Sequence, residues 1–410
     1  MDAIAILQTL EKLVDLGLDR LDQAILPAPD PTQPAVILLP GFMGVHLADP
    51  AAGRAWLDPA AAIRGDLSAR VALDAVGAAD AFPGERLAPD GVVRFVYADL
   101  VQALRFAGHA VHPFAFDFRR SLLSSTLLLR DLVTDVLQRS PGTKVVLLGH
   151  SMGALLACLL PYYLPSFADR VEQTIFLGGP LGGTFDAVEA VTGTHWVLPR
   201  LVALSPRETA RDFQASLATW PGAFSMLPDP DAFPGAGCER AFDAVDWPAG
   251  LAPRQAILDE AKALKTTIRR SPLFDLAPPV TQLLATQYST VGSLARDERG
   301  AITAGPRTSQ GDGVVTAASA LPPGVTGYRT TFPHTLAPIE PAAIQAILDL
   351  IHTGACTLDL IQRDDVAAEV APGQAPDVQM ALGLIESGVT SMLDGCLTFS
   401  SLTWLLASLV

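Results

Sequence analysis

The apolar positions of this chain alternate between short continuous runs and longer segments with helical spacing. In the first half of the sequence, the runs lie at Ala35–Leu39, His109–Phe118, Lys144–Leu148 and Val171–Leu177. Runs of this length bounded by Gly, Pro or polar residues indicate buried strands. Helical spacing lies near Tyr97–Ala107 and at Leu122–Arg139. Strands that alternate with such helices predict a mostly parallel sheet with helices on both faces.

This alternation stops near residue 185 and returns near residue 282. The stretch between is rich in proline and holds three of the five tryptophans, which predicts an insertion that caps the sheet. Beyond it, Gln282–Val291 and Tyr328–Phe332 indicate two late strands, separated by a polar loop at 292–313. Pro338–Ile351, followed by Gly354, has the start and stop signals of a closing helix.

The two ends of the chain lie outside this pattern. Ile6–Leu26 predicts an amphipathic helix, and the prolines of residues 27–34 form a linker after it. The apolar end, 399–410, is about half the length of a membrane span. It is either a helix docked on the core or an interfacial, partner-binding helix. The expected organisation is 1–33 helix and linker, 34–184 core, 185–281 cap or lid, 282–354 core, and 355–410 helical tail.

Composition narrows the class of protein. Half of the 410 residues are hydrophobic and 17% are charged, which indicates a large folded core. The formal net charge of −15 repels phosphate backbones, so no nucleic-acid partner is expected. Anionic membranes are repelled overall, although a local apolar patch in the cap or tail leaves peripheral lipid-surface contact open. The oligomeric state is open.

The four cysteines predict neither a redox motif nor a metal site. None forms a C-x-x-C pair, and no Cys/His cluster has zinc spacing, so no metal is expected. Cys158 is expected to be a small buried hydrophobe, whereas Cys356 and Cys396 either pair or stay free. Asp2 and the absence of early basic residues make the start a poor signal peptide, which favours a cytoplasmic location and leaves signal-independent export open.

The strongest chemical signal is Gly149-His150-Ser151-Met152-Gly153. It follows an apolar strand pattern and precedes an apolar helix pattern, which is the context that a nucleophilic serine on a sharp turn requires. A chance G-x-S-x-G match is the alternative, and the strand and helix around it argue against that interpretation. Ser151 is therefore the candidate nucleophile.

A serine needs a base and a group that orients the base. In α/β-hydrolases these follow in the order Ser, acid, His, each on a loop after a late strand. Asp312 and His334 occupy these positions. An ordinary Asp-Gly turn and a helix-capping or core histidine are the alternatives, but chain order and loop position favour the catalytic assignment.

Two backbone N–H groups must hold the oxyanion. Met152 supplies one because it follows the nucleophile. Phe42, in the loop of residues 40–44 after the first strand, is the candidate for the other; we name this segment the oxyanion loop. The alternative is a plain glycine turn, although Gly41 and Gly44 suit a close backbone approach.

Several blocks in this order resemble the lecithin:cholesterol acyltransferase family. They are Pro34–Gly44, which is similar to the opening strand and oxyanion loop; Trp56-Leu57-Asp58; Pro113–Arg119, similar to A-P-Y-D-W-R; Ile175–Thr184, similar to L-G-x-P-x-G-G-S/T; Gly311–Val315, similar to G-D-G-T-V; and His334. The blocks span about residues 34–353. The chain departs from the family pattern at Leu181, where tryptophan is frequent, and it has no cysteine pair soon after Gly44.

The resemblance implies an α/β-hydrolase fold, a Ser-Asp-His triad, a lid, and acyl chemistry on lipids without a cofactor. It also implies that Asp117 and Arg119 form a buried structural pair. Gly41, Met43, His150 and Leu181 are the substrate-binding candidates.

The expected function is hydrolysis or transfer of the acyl group of a lipid or other ester through acyl-Ser151. A non-catalytic binding protein of the same fold, and an esterase or thioesterase acting on a soluble acyl donor, are the alternatives.

Overall fold

The computed structural model describes residues 27–56, 58–139, 143–205, 207–276 and 279–362. The predicted N-terminal helix at Ile6–Leu26 lies outside these residues. So do Cys396 and the apolar segment 399–410.

The strands belong to one large sheet and several small ones. In chain order they are β1 (Ala35–Leu39), β2 (Val45–Asp49), β3 (Gly53–Trp56), β4 (Ala88–Val92), β5 (Val111–Pro113), β6 (Val145–His150), β7 (Val171–Leu177), β8 (Val280–Ala285), β9 (Thr290–Val291), β10 (Leu294–Arg296), β11 (Ile302–Ala304), β12 (Arg307–Thr308) and β13 (Val325–Thr330). The central sheet has the order β13-β8-β7-β6-β1-β5, and its neighbouring strands are parallel.

Helices surround this sheet. In chain order they are α1 (Pro59–Arg64), α2 (Leu67–Val71), α3 (Arg94–Phe106), α4 (Leu122–Arg139), α5 (Met152–Leu159), α6 (Phe167–Arg170), α7 (Asp186–Thr192), α8 (Val197–Leu204), α9 (Ala210–Leu217), α10 (Pro221–Phe224), α11 (Gln255–Arg269), α12 (Ala317–Ala320) and α13 (Pro341–Thr353). The described residues contain no helix that is long and apolar enough to cross a bilayer.

Strand β1 shows why the sheet lies in the middle of the core. Ile37 and Leu39 point to the face that α4 and α5 cover, whereas Val36 and Leu38 point to the face that α3 and α13 cover. Successive side chains of a strand alternate between faces, so a strand covered on both faces is apolar throughout. This pattern explains why the central strands could be predicted from apolar runs.

The structure corrects the predicted boundaries after β7. The strand expected at Gln282–Val291 ends at Ala285, because Tyr288 leaves the sheet and its N–H donates to the Gly311 carbonyl at 2.8 Å. The last strand is Val325–Thr330 rather than Tyr328–Phe332. The predicted polar loop contains the short antiparallel pair β10–β11 and strand β12, which pairs with β9 just before the loop.

The closing helix begins later than the sequence pattern predicts. Residues His334–Ile339 form a 3₁₀ turn, and α13 starts at Pro341. A residue before proline is driven towards extended backbone, and Glu340 has φ −70° and ψ 118°. Gly354 ends α13 with φ 75°. The turn brings His334 to the carboxyl edge of the central sheet, next to the end of β6.

Candidate active site

Ser151 sits on a strained turn between β6 and α5. Its φ of 50° and ψ of −122° are unusual for a residue with a side chain. Its N–H donates to the Leu177 carbonyl at 2.9 Å, and its carbonyl accepts from the Ala154 N–H at 3.0 Å. Backbone contacts on both sides therefore hold the strained conformation, and the serine stands at the start of a helix.

The glycines on either side make this turn possible. A Cβ atom on Gly153 would lie 2.1 Å from the Leu39 carbonyl oxygen, and one on Gly149 would lie 2.9 Å from the Ala154 nitrogen. Both approaches are closer than a side chain permits. The G-x-S-x-G pattern thus reflects the close packing of α5 against β1 as well as the turn itself.

His334 and Asp312 form a buried pair beside the turn. His334 Nδ1 lies 2.7 Å from Asp312 Oδ2, and the two residues are 7% and 2% exposed. The other carboxylate oxygen of Asp312 accepts from the Val314 and Val315 N–H groups at 3.0 and 2.7 Å. With its proton on Nδ1 facing the carboxylate, His334 has Nε2 free to act as a base.

The surroundings of His334 set its charge behaviour. Burial lowers the pKa of His334, but the Asp312 carboxylate, its hydrogen bond and the charge of Asp186 together outweigh burial, so the pKa is raised. Gly178 lies directly under the pair: a Cβ there would be 2.7 Å from His334 Nδ1 and 2.8 Å from Asp312 Oδ2. The absence of a side chain at Gly178, which has φ 56°, gives the pair its room.

Ser151 and His334 line one cavity of about 70 Å³. Most of the other residues in its wall are apolar; they include Phe42, Met43, Ala187, Ala190, Trp196, Val197, Leu217, Ala223, Met226 and Val314. An apolar wall next to a nucleophile and a base suits an acyl group better than a charged substrate.

The oxyanion loop approaches Ser151 closely. A Cβ on Gly41 would lie 3.0 Å from the Ser151 Cβ, and Met43 adopts a φ of 64°. In the part of the chain that the structure describes, no hydrogen bond uses the N–H of Phe42 or that of Met152. The Phe42 ring packs edge-on against Phe118 at 5.4 Å. The loop is therefore held in place, with two donors available for an oxyanion.

A chain of hydrogen bonds links the oxyanion loop, the turn that carries Ser151, and His334. The Gly41 N–H donates to the Tyr97 hydroxyl at 2.7 Å, and that hydroxyl lies 2.8 Å from His150 Nδ1. His150 Nε2 lies 3.2 Å from the His334 carbonyl oxygen. The His334 carbonyl can only accept, so His150 donates through Nε2 and its Nδ1 accepts the proton of the Tyr97 hydroxyl. Burial, followed by the nearby His334, lowers the pKa of His150 to about 3, so this ring stays neutral.

The buried pair Asp117–Arg119 has a structural position. Arg119 contacts Asp117 at 2.7 Å and Asp80 at 2.8 Å, and it donates to the Val71 carbonyl at 3.1 Å. Neither Asp117 nor Arg119 is among the residues of the cavity wall. Within the described residues, their contacts join the start of α4 to the segment before β4.

The structure brings most of the predicted site residues together. Ser151, His334, Phe42, Met43 and His150 line the cavity, and Asp312 stands behind His334. Gly41 and Met152 lie next to Ser151 through their backbones.

Leu181 is not in the cavity wall. Its side chain is 5% exposed and packs in the hydrophobic core. The substrate-binding prediction for Leu181 therefore has no support in the cavity geometry. His150 has both ring nitrogens engaged with protein atoms, which makes it a positioning group rather than a polar contact for substrate.

Sequence reasoning missed three polar residues. Tyr97 lies within a predicted helix, where one aromatic residue carries no chemical signal. Asp186 and His195 lie in the segment predicted to be a cap, where periodicity is lost, and both line the cavity. In the described residues, no group of three or more His, Cys, Asp or Glu side chains is arranged to hold a metal ion, and Cys158, Cys238 and Cys356 are free.

Residues 69–249 match the sequence model of the lecithin:cholesterol acyltransferase family, which confirms the resemblance seen in the sequence blocks. A chain of the Tle4–Tli4 complex is 14% identical to this chain, with a TM-score of 0.53; the match covers 77% of this chain and 97% of that one. Bacillus licheniformis lipase BlEst2 in its mature form is 13% identical, with a TM-score of 0.42, over 80% of this chain and 95% of the lipase. The comparison with curated proteins found no match.

At these identities the structural likeness concerns the fold. The chain has an α/β-hydrolase fold, as the family resemblance implied. The family match fits an enzyme that hydrolyses or transfers acyl esters.

Proposed function

We propose that this chain is a serine enzyme that hydrolyses or transfers the acyl group of a lipid or similar ester through an acyl-Ser151 intermediate. The observation that carries the proposal is the 2.7 Å contact between His334 Nδ1 and Asp312 Oδ2 at the wall of the cavity that also contains Ser151. A base oriented by a carboxylate next to a strained serine is the arrangement that nucleophilic acyl transfer needs.

In the first half of the reaction, the Ser151 oxygen attacks the acyl carbonyl while His334 Nε2 takes the serine proton. The N–H groups of Phe42 and Met152 hold the oxyanion of the tetrahedral intermediate. When the intermediate collapses, the bond to the alcohol oxygen breaks, and His334 returns the proton to that oxygen. The free alcohol departs and the acyl group remains as an ester of Ser151.

In the second half, water or an alcohol attacks the acyl-Ser151 carbonyl and His334 takes its proton. Collapse of the second intermediate breaks the bond to Ser151, and His334 gives the proton back to the serine. Water yields a free fatty acid, whereas an alcohol yields a new ester. The apolar cavity wall favours a hydrocarbon chain as the acyl part.

A fluorophosphonate probe tests the nucleophile directly. Wild-type protein should become labelled at Ser151, and Ser151→Ala should lose the label. Ser124→Ala is the matched control, because Ser124 is an exposed serine on α4 whose hydroxyl donates to the Ser121 carbonyl. Unlabelled wild type with native circular dichroism and no ester turnover would favour the binding-protein alternative.

The products identify the reaction. Phospholipid, triacylglycerol and a soluble acyl thioester are each incubated with wild type and Ser151→Ala, with and without an added alcohol. Free fatty acid indicates hydrolysis and a new ester indicates transfer. Turnover of the soluble thioester alone would replace the lipid part of the proposal with the soluble-donor alternative.

A further inference from the structure

A second histidine–carboxylate pair lies in the cavity wall. His195 Nε2 is 3.3 Å from Asp186 Oδ2, and both residues line the cavity together with Ser151 and His334. Asp186 begins α7, and its N–H donates to the Thr184 hydroxyl at 3.4 Å. The mechanism described above uses neither side chain.

His195 holds Asp186 in position. The Val197 N–H donates to His195 Nδ1 at 3.2 Å, which leaves the proton on Nε2, where it faces Asp186. His195 is buried, and both its nitrogens are engaged. Glu189, one turn further along α7, is fixed by Arg307 at 3.1 Å. Of the side chains of Asp186, His195 and Glu189, that of Asp186 is the most exposed, at 23%. Its carboxylate also lies in the cavity wall.

Asp186 lines the same cavity as His334, the base that exchanges a proton with the alcohol. The leaving alcohol and any incoming alcohol both exchange a proton with His334, so both pass next to the His334 ring. The negative charge of Asp186 also contributes to the raised pKa of His334, after the Asp312 carboxylate and its hydrogen bond. The carboxylate therefore shares the cavity with the base that the alcohol must reach.

A carboxylate at this position selects by hydrogen bonding and charge. It accepts hydrogen bonds from hydroxyl groups and repels anions, while the surrounding Ala187, Ala190, Leu217 and Met226 offer no polar contact. We propose that Asp186, positioned by His195, is the specificity-determining contact for the alcohol part of the substrate and accepts a hydrogen bond from a free hydroxyl of a neutral, polyhydroxylated alcohol such as a glycerol moiety. This inference rests on the proposed acyl-ester activity.

Two esters with the same acyl chain and the same three-carbon alcohol test it. Glyceryl octanoate carries free hydroxyls on its alcohol part, and propyl octanoate carries none. In wild type, kcat/KM for the glyceryl ester should exceed that for the propyl ester by at least about fivefold, because the propyl group covers the carboxylate without giving it a hydroxyl donor. Equal kcat/KM values of the wild-type protein for the two esters, or a preference for propyl octanoate, would overturn the proposal.

Variants at Asp186 test the residue itself. Asp186→Ala should lower the glyceryl-to-propyl ratio of kcat/KM about tenfold, and Asp186→Asn should lower it less, because a neutral acceptor makes a weaker hydrogen bond. His195→Gln should lower the same ratio through KM of the glyceryl ester, as expected of a positioning residue. Asp259→Asn, an exposed aspartate on α11 that accepts from Gln255, is the control and should leave the ratio unchanged.

The pH profile provides a second readout. The charges and rings that face His334 are Asp312, Asp186 and His150. Removing the Asp186 charge should shift the acidic limb of kcat/KM for propyl octanoate to lower pH.

A glyceryl-to-propyl ratio of kcat/KM that stays constant in Asp186→Ala overturns the inference while the proposed function stands. Ester turnover that persists in Ser151→Ala contradicts the proposed function instead.

Discussion

The hydroxyl of Tyr97 lies 2.8 Å from Nδ1 of His150 and thereby joins the oxyanion loop to the strand end that carries Ser151. The same hydroxyl accepts from the Gly41 N–H at 2.7 Å. Tyr97 is buried, and burial raises the pKa of its phenol, so it stays a neutral donor. The positions of the two oxyanion donors thus depend on a side chain outside the cavity wall.

Tyr97→Phe should therefore reduce catalysis more than binding. The variant leaves the Gly41 N–H and His150 Nδ1 without partners, at a cost of about 1–3 kcal/mol each in a buried site. We expect kcat to fall about ten- to a hundredfold with little change in KM. Tyr162→Phe is the matched control, because the exposed Tyr162 hydroxyl only bonds the Thr267 and Arg270 carbonyls. Equal kcat in the two variants would show that the relay does not position the donors.

His334→Ala and Asp312→Ala should both reduce turnover, and the loss should be smaller for Asp312. His334 moves the proton, whereas Asp312 orients the ring and stabilises its charged form. We expect turnover to fall about 10⁴-fold or more in His334→Ala and about 10³- to 10⁴-fold in Asp312→Ala. Asp297→Ala, in the exposed turn where Asp297 accepts from the Arg299 and Ala301 N–H groups, serves as control. A silent Asp312→Ala would assign the acid to a different residue.

Activity should rise with pH through a pKa above the ordinary histidine value of 6.5. His334 acts as a base only when neutral, and a raised pKa keeps it protonated to higher pH. Activity is therefore lost as pH falls through this pKa. In Asp312→Asn, which removes the opposing charge, the acidic limb should move to lower pH. The measurement is kcat/KM against pH for both proteins, and a limb at the same pH in both would contradict the assignment.

The central strands and the order of the site residues could be predicted because both leave local marks in the sequence. Apolar runs such as Ala35–Leu39 are long enough to indicate a strand, and Gly149 and Gly153 mark the turn around Ser151. Leu122–Arg139 begins and ends where its helical spacing predicts. The predicted cytoplasmic location, lipid-surface contact and tail remain predictions.

What could not be predicted depends on contacts between distant segments. Strand β4 has the sequence Ala-Pro-Asp-Gly-Val, which has the composition of a turn, and it forms a strand only because it pairs with β2. Tyr97 and His150 are 53 positions apart, and the hydrogen bond between them has no sequence signal. Asp186 and His195 meet across the end of the short helix α7, in a segment where no apolar period indicates which side faces the site.

Gly153→Ala should destabilise the fold as well as the site. The added Cβ would lie 2.1 Å from the Leu39 carbonyl oxygen, so α5 must move away from β1. Overpacking of this kind costs about 1–3 kcal/mol, which should lower Tm by several degrees. Gly292→Ala is the matched control, because the nearest atom to its new Cβ would be 3.6 Å away. Similar Tm values for the two variants in a thermal melt would contradict the packing argument.

The most direct test of the central claim is to trap the acyl-enzyme. Wild-type protein is mixed with excess p-nitrophenyl octanoate, quenched in acid within the first turnovers, and digested for mass spectrometry. An octanoyl group should appear on the peptide that contains Ser151, at a level that builds up before the steady state and disappears in Ser151→Ala. Steady ester turnover with no acyl group on Ser151 in wild type, or undiminished turnover in Ser151→Ala, would contradict the account.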